Sequence, residues 1–250
     1  MAQAQLLLSR SYIQLKAEPG RTIVDAMSLH NTSDRGVKIK VYWQDFNYIE
    51  PFDGTKEFYP AGTSAYTMGS WISFSPKEFT LAPHTKQEVN YSIKVPADVE
   101  GGHYGVLFFE QEALPSKADS PALSIVTRLG SLFFVDSTKQ RKTAIINDIT
   151  VAANAFSGKL KNDGDVILLP QGIFYVLNKE GLAEDRGEIK KLYLPPGKEA
   201  DFEFATGNSL KGGFYTAVLT FDLGDGDSIV KEIDFNKDPS GQLTINAVRD

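Results

Sequence analysis

The side chains able to do covalent or metal chemistry are few. The 250 residues contain no cysteine and three histidines, His30, His84 and His103. That excludes disulfides, thiol nucleophiles, and thiolate-bound zinc or iron–sulfur clusters. No histidine has a second histidine at the short spacing that a zinc site on one element uses. Asp222, Asp225 and Asp227 sit among glycines like a calcium loop, yet the twelfth position from Asp222 is Ile233 rather than the bidentate Glu such a loop needs. A Gly-Asp-Gly turn between strands accounts for the same residues. Glu184, Asp185, Arg186 and Glu188 read as a solvated loop face, and no G-x-S-x-G elbow, phosphate loop or dinucleotide fingerprint is present. What remains is recognition chemistry: the rings of Phe52, Phe58, Tyr59 and Tyr66 in an aperiodic stretch, and a few isolated arginines. No catalytic residue, metal or cofactor is expected, and the expected role is binding.

Composition narrows the partner. A formal net charge of -6 and a pI near 5.2 argue against nucleic acid, whose phosphates call for clustered Lys and Arg. No apolar run approaches the roughly 18 residues of a membrane helix, so no membrane span is expected. The opening Met-Ala-Gln-Ala-Gln lacks the basic start and apolar centre of a signal peptide, but Ala-Gln-Ala-Gln is what cleavage at an A-x-A site leaves. A mature exported domain is expected, its signal peptide removed and a Met added.

The elements that must position the rings and arginines are strands. From Trp71 to Glu110 a period of two gives strands near Trp71 to Phe74, Glu78 to Leu81, Gln87 to Val95 and His103 to Glu110, separated by Pro76, Ala82-Pro83, and Pro96-Ala97-Asp98 with Gly101-Gly102. Trp71, Phe79, Val89, Tyr91, Tyr104 and Leu107 are expected in its core. Val37 to Ile49 alternates most clearly, with Val37, Ile39, Val41 and Trp43 on one face. Gln5 to Lys16 reads as an opening strand with a kink or switch at Ser9 to Ser11, and Thr22 to His30 as a strand whose Asn31–Gly36 turn makes a first hairpin. Residues 50 to 70 lose all periodicity, a loop long enough to be functional or mobile. Ala122 to Val135 is a long strand with a bulge or bend at Gly130.

Polar Asp136 to Lys142 marks a boundary between residues 1–138 and 139–250. Beyond it come strands at Thr143 to Ala152, Phe156 to Lys161, Val166 to Leu177, Ile189 to Leu194, Ala200 to Ala205, Phe214 to Leu223, Ser228 to Phe235 and Leu243 to Val248. Asn162-Asp163-Gly164-Asp165 reads as a tight hairpin turn and Asn178 to Gly187 as a charged loop. No helical periodicity appears. The fold class is all-β, two tandem immunoglobulin-like β-sandwich domains. An internal echo supports this: Leu81-Ala82-Pro83 leading to Gly102-His103-Tyr104 recurs as Leu194-Pro195-Pro196 leading to Gly213-Phe214-Tyr215.

The run WISFSPKEFTLAPHTKQEVNYSIKVP followed by GGHYG, preceded by a strand with Arg10, resembles the first domain of PapD-like periplasmic chaperones and related exported Ig-like envelope proteins. The resemblance covers residues 5 to 136, and residues 143 to 236 only as a generic Ig-like domain. It implies a cleft Arg on the first strand, here Arg10, and a cationic partner on the last strand of the domain. Ser-Leu-Phe-Phe stands where the family has Lys-Leu-Phe-Tyr, which puts Ser131 at the Lys position. Arg128 lies three residues earlier, on the opposite face unless a bulge at Gly130 restores it. The resemblance also implies that the last strand, with Ile125 and Leu129, pairs edge-to-edge with an extended segment of a pilus or other envelope subunit.

The resulting expectation is a non-enzymatic, chaperone-like or scaffold protein, periplasmic or at the cell surface, binding a protein subunit through Arg10, Arg128, Ser131, Ile125 and Leu129. The alternative is a surface adhesin or carbohydrate-binding module that uses Phe58, Tyr59 and Tyr66 of the 50 to 70 loop.

Overall fold

The structure is a computed structural model that describes residues 6–112, 126–207 and 210–250. Among the described residues every regular element is a strand, and the all-β expectation holds. The chain divides into two compact units: Met1–Asn47 with Glu57–Gln140, and Tyr48–Lys56 with Arg141–Asp250.

In the first unit one sheet runs in the order β1 (Leu6–Leu8), β3 (Thr22–Asn31), β8 (Lys86–Lys94), β6 (Ile72–Ser75). The other runs β2 (Tyr12–Ala17), β10 (Arg128–Ser137), β9 (Gly102–Gln111), β4 (Val37–Tyr48), β5 (Lys56–Pro60), with β7 (Glu78–Leu81) also on β4. Alternation decides what is inside: Ile39, Val41, Leu107, Phe109 and Phe133 meet Leu29, Val89 and Ile93 of the facing sheet in one buried cluster. The break at Ser9–Ser11 is the expected switch. Before it β1 pairs antiparallel with β3, and after it β2 pairs parallel with β10, so one strand serves both sheets. Val89, Tyr91 and Leu107 are core as expected, while Trp71 and Phe79 are half-buried at its rim. Tyr104 is buried on the other face of its sheet, against Phe134 and Tyr66.

The second unit packs β11 (Ala144–Ala152), β12 (Ala155–Asn162) and β15 (Glu199–Ala205) with a sheet ordered β14 (Ala183–Ile189), β13 (Gln171–Leu177), β16 (Gly213–Gly224), β17 (Asp227–Lys237), β18 (Leu243–Arg249). Its core is aromatic: Phe156 stacks on Phe204 at 5.0 Å and meets Phe235 edge-on at 5.0 Å, and Phe202 meets Phe221 at 5.1 Å.

Four expectations are corrected. The segment expected as a charged loop from Asn178 to Gly187 ends in strand β14, which replaces the strand expected at Ile189 to Leu194. As an outer strand with charges on both faces it shows no alternation. The 50 to 70 stretch is not wholly irregular, since β5 lies inside it. Gly130 carries no bulge: β10 keeps unbroken register with β9 from Arg128 to Asp136. Finally, the turns after Asn31 and Asn162 do not close hairpins, because β3 and β4 lie in different sheets, as do β12 and β13.

Each of those crossings is held by a fully buried asparagine. Asn31 Nδ2 donates to Arg35 O at 2.7 Å, Ala82 O at 3.1 Å and Leu81 O at 3.2 Å, and its Oδ1 accepts from Ser33 N at 3.0 Å. Asn162 Nδ2 donates to Val166 O and Leu194 O, both at 2.8 Å, and its Oδ1 accepts from Gly164 N at 2.9 Å. The same side chain thus ties the same turn to the same Leu-x-Pro segment in both units, the structural content of the echo between Leu81-Ala82-Pro83 and Leu194-Pro195-Pro196. A local Asx turn serves an arch as well as a hairpin.

Candidate strand-docking edge

Among the described residues β10 is flanked on both sides only from Leu132 onward. Leu132 to Ser137 pair with β9 and, in parallel, with Tyr12 to Ala17 of β2, but Arg128 to Ser131 pair with β9 alone. Gln111 N bonds Thr127 O and Ser137 N bonds Gly101 O, so the odd-numbered residues exchange hydrogen bonds with β9. The even-numbered ones turn their backbone groups outward. Leu132 N reaches Ser11 O at 3.0 Å; Arg128 and Gly130, among the described residues, face no neighbouring strand. This is an open edge with two outward N–H and C=O pairs, the geometry that an extended segment can extend by one strand.

The regular register fixes the side chains. Leu129 packs against the core, and Ser131 is fully buried, its hydroxyl without a partner. A buried serine carries no positive charge to the surface, so the Lys position of the resemblance contributes no cation here. Arg128 lies on the opposite face, its guanidinium 4.2 Å from the ring centre of Phe108 and 5.6 Å from that of Phe58. Phe58 meets Phe108 edge-on at 5.1 Å. Tyr42 also packs on Phe108, at 5.6 Å, and donates its hydroxyl to Glu110 at 2.6 Å. Burial pushes the Tyr42 phenol up, and the hydrogen bond to Glu110 adds to that. Gly130 makes room for this cluster, because a Cβ there would lie 2.9 Å from Val106 Cγ2 and 3.0 Å from Phe108 Cε1. Ile125 lies outside the described residues.

The structure therefore joins one candidate from each sequence set, Arg128 and Phe58, on one face. Tyr59 donates its hydroxyl to Glu57 at 2.5 Å, and Tyr66 packs on Tyr104 with its carbonyl accepting from Tyr104 N at 2.8 Å. The stretch that carries them is held by the buried carboxylate of Asp45, which accepts from Thr63 N at 2.9 Å, Ser64 N at 3.0 Å and Thr67 Oγ1 at 2.7 Å. Arg10 is elsewhere: its Nη1 bonds Asp25 Oδ2 at 2.8 Å and its Nη2 donates to Ala26 O, both on β3. The Arg10 guanidinium, helped by the Ala26 amide, holds the Asp25 carboxyl at about 2. Asp25, Tyr42, Asp45 and Phe108 carry no mark in the sequence that singles them out.

No protein-family model matches the chain, and no curated protein matches it. Among solved structures, a chain of a chaperone–tip adhesin complex of CFA/I fimbriae biogenesis aligns with a TM-score of 0.57 and 13% identity over 98% of this chain and 100% of that one. The class 5 fimbriae chaperone CfaA aligns with a TM-score of 0.55 and 12% identity over 97% and 100%. The chain has the fold of the two-domain fimbrial chaperones. At that identity the likeness speaks to architecture, and function is argued from the site.

Proposed function

We propose that the protein is an exported, periplasmic, non-enzymatic chaperone that holds a fimbrial or related envelope subunit by adding one of the subunit's segments to the open edge of β10. The observation that carries this reading is the half-flanked strand: Arg128 and Gly130 offer backbone pairs with no neighbour among the described residues, next to a cation packed on aromatic rings. Backbone pairing supplies affinity and the flanking side chains select the segment. The fold shared with the fimbrial chaperones supports the same reading. Arg128 is the cation at this edge; Leu129 and Ser131 line its inward face.

Two substitutions at one position separate backbone from side chain. Arg128→Pro removes an outward N–H without touching the β9 ladder, since position 128 does not exchange hydrogen bonds with β9. Arg128→Ala removes the guanidinium and keeps the N–H. On periplasmic co-expression with a fimbrial subunit, Arg128→Pro is expected to abolish co-purification while Arg128→Ala reduces it. Equal capture by wild type and Arg128→Pro would remove edge pairing as the mechanism.

A further inference from the structure

Another stretch of open edge in the first unit is on β3. Arg21 O accepts from Val95 N at 2.9 Å, and the register Ile23↔Ile93, Asp25↔Tyr91, Met27↔Val89 continues that parity. Thr22, Val24, Ala26 and Ser28 therefore turn their backbone groups away from β8. Because β1 pairs only with Leu29 to Asn31, no strand among the described residues covers them. Side chains and the switch loop cover the lower half instead. Ser28 N donates to Ser9 Oγ and Ser28 O accepts from Ser9 N, each at 2.9 Å. Ala26 N donates to Asp25 Oδ1 at 2.7 Å, and Ala26 O accepts from Arg10 Nη2. The two caps are locked together by the Arg10–Asp25 ion pair, and Tyr91 donates its hydroxyl to the same Asp25 Oδ2 at 3.1 Å. Just above them Val24 is 72% exposed, a larger exposure than any other large hydrophobic side chain among the described residues.

We infer that Ser9, Arg10 and Asp25 form a cap that closes the β3 edge to strand addition, and that the surface beneath the cap fits a second copy of β3. A two-fold axis at Val24 would set two copies of the strand antiparallel. The two exposed valines would then be cross-strand neighbours, and each copy would bring one Arg and one Asp to the pair. Capping an edge with charged side chains is how sheets avoid such pairing. Arg10 is thereby committed to β3, and this stretch of edge does not compete with β10 for an incoming strand.

Sedimentation over a concentration series reads this directly. The wild type is expected to be monomeric. Arg10→Ala with Asp25→Ala is expected to dimerise with an association constant at least tenfold higher, and adding Val24→Pro, which removes an outward N–H, returns the monomer. A folded double variant that stays monomeric overturns the inference. Should that variant fail to fold, amide exchange in Asp25→Ala alone decides: at least tenfold faster exchange at Ala26, with Val24 unchanged, supports the cap, and unchanged exchange at Ala26 overturns it. Arg128→Pro is expected to leave the sedimentation result unaltered, so failure of subunit capture and failure of the cap are distinguishable.

Discussion

Asp45 tests how the Phe58-bearing stretch is kept against the sheet. Its carboxylate accepts three hydrogen bonds from Thr63, Ser64 and Thr67 in a fully buried position. A bond to a charged group contributes about 1.5–3 kcal/mol, while burying the carboxylate costs several kcal/mol in the other direction. Asp45→Ala is therefore expected to destabilise the first unit by about 3 kcal/mol, with the Ser64 amide and the Thr67 hydroxyl losing their acceptor and the Thr63 amide keeping only Pro60 O at 3.2 Å. Asp45→Asn keeps an oxygen for the two amides but must turn its NH2 toward Thr67 Oγ1, which already accepts from Gly62 N and Gly69 N. That loss is expected to be smaller, about 1–2 kcal/mol. Urea unfolding followed by tryptophan fluorescence reports on this unit, since Trp43 and Trp71 are the two tryptophans. Limited proteolysis below the unfolding midpoint should show new cleavage between residues 60 and 69 in the alanine variant. An Asp45→Ala protein with an unchanged midpoint and no new cleavage would refute the role given to this carboxylate.

Further outcomes follow from the same reasoning. Asn162→Ala leaves the Val166 carbonyl without its donor and the Gly164 amide without its acceptor, while Leu194 O keeps Leu168 N at 2.9 Å, and it is expected to cost the second unit about 2–3 kcal/mol, measured by calorimetry; a loss below about 1 kcal/mol would remove the asparagine as its anchor. Gly105→Ala would put a Cβ 2.0 Å from Trp43 Cζ2. It is expected to cost more than about 3 kcal/mol by overpacking and to shift tryptophan emission, whereas native emission and stability would contradict the packing described. Asp25, with its carboxyl held at about 2 instead of the usual 3.8, contributes stability present above 3.8 and lost as pH falls toward 2. Because the pair is largely exposed, the amount is below about 1 kcal/mol. A carboxyl-resolved NMR titration should return Asp25 toward 3.8 in Arg10→Ala, and no movement would break the assigned pairing.

How much of this was legible in the sequence depends on the distance over which each feature is determined. The strands β4, β7 and β8 alternate because one face is more deeply buried than the other, so residues two apart carry the signal, while β9, buried on both faces, shows as a short apolar run between turns. The switch at Ser9 to Ser11 shows as a break in that alternation. β14 is hidden because both of its faces carry charge. The arches at Asn31 and Asn162 were readable as turns but not as sheet crossings, since the same Asx chemistry serves both and the difference lies in carbonyls contributed by Leu81 and Leu194. The candidate edge on β10 was half legible. Arg128 and Leu129 follow from strand parity, but the burial of Ser131 depends on the unbroken β9 register, and the partners of Arg10 and Arg128 come from strands distant in sequence.

The most direct measurement of the central claim is amide exchange on the complex with a co-expressed fimbrial subunit. The N–H groups of Arg128 and Gly130 face outward in the free protein, and a strand added to β10 must accept hydrogen bonds from them. Protection of both amides on subunit binding, with the inward amides of Leu129 and Ser131 already slow in the free protein, is the predicted result. A bound subunit that leaves Arg128 and Gly130 exchanging at the free rate would contradict it.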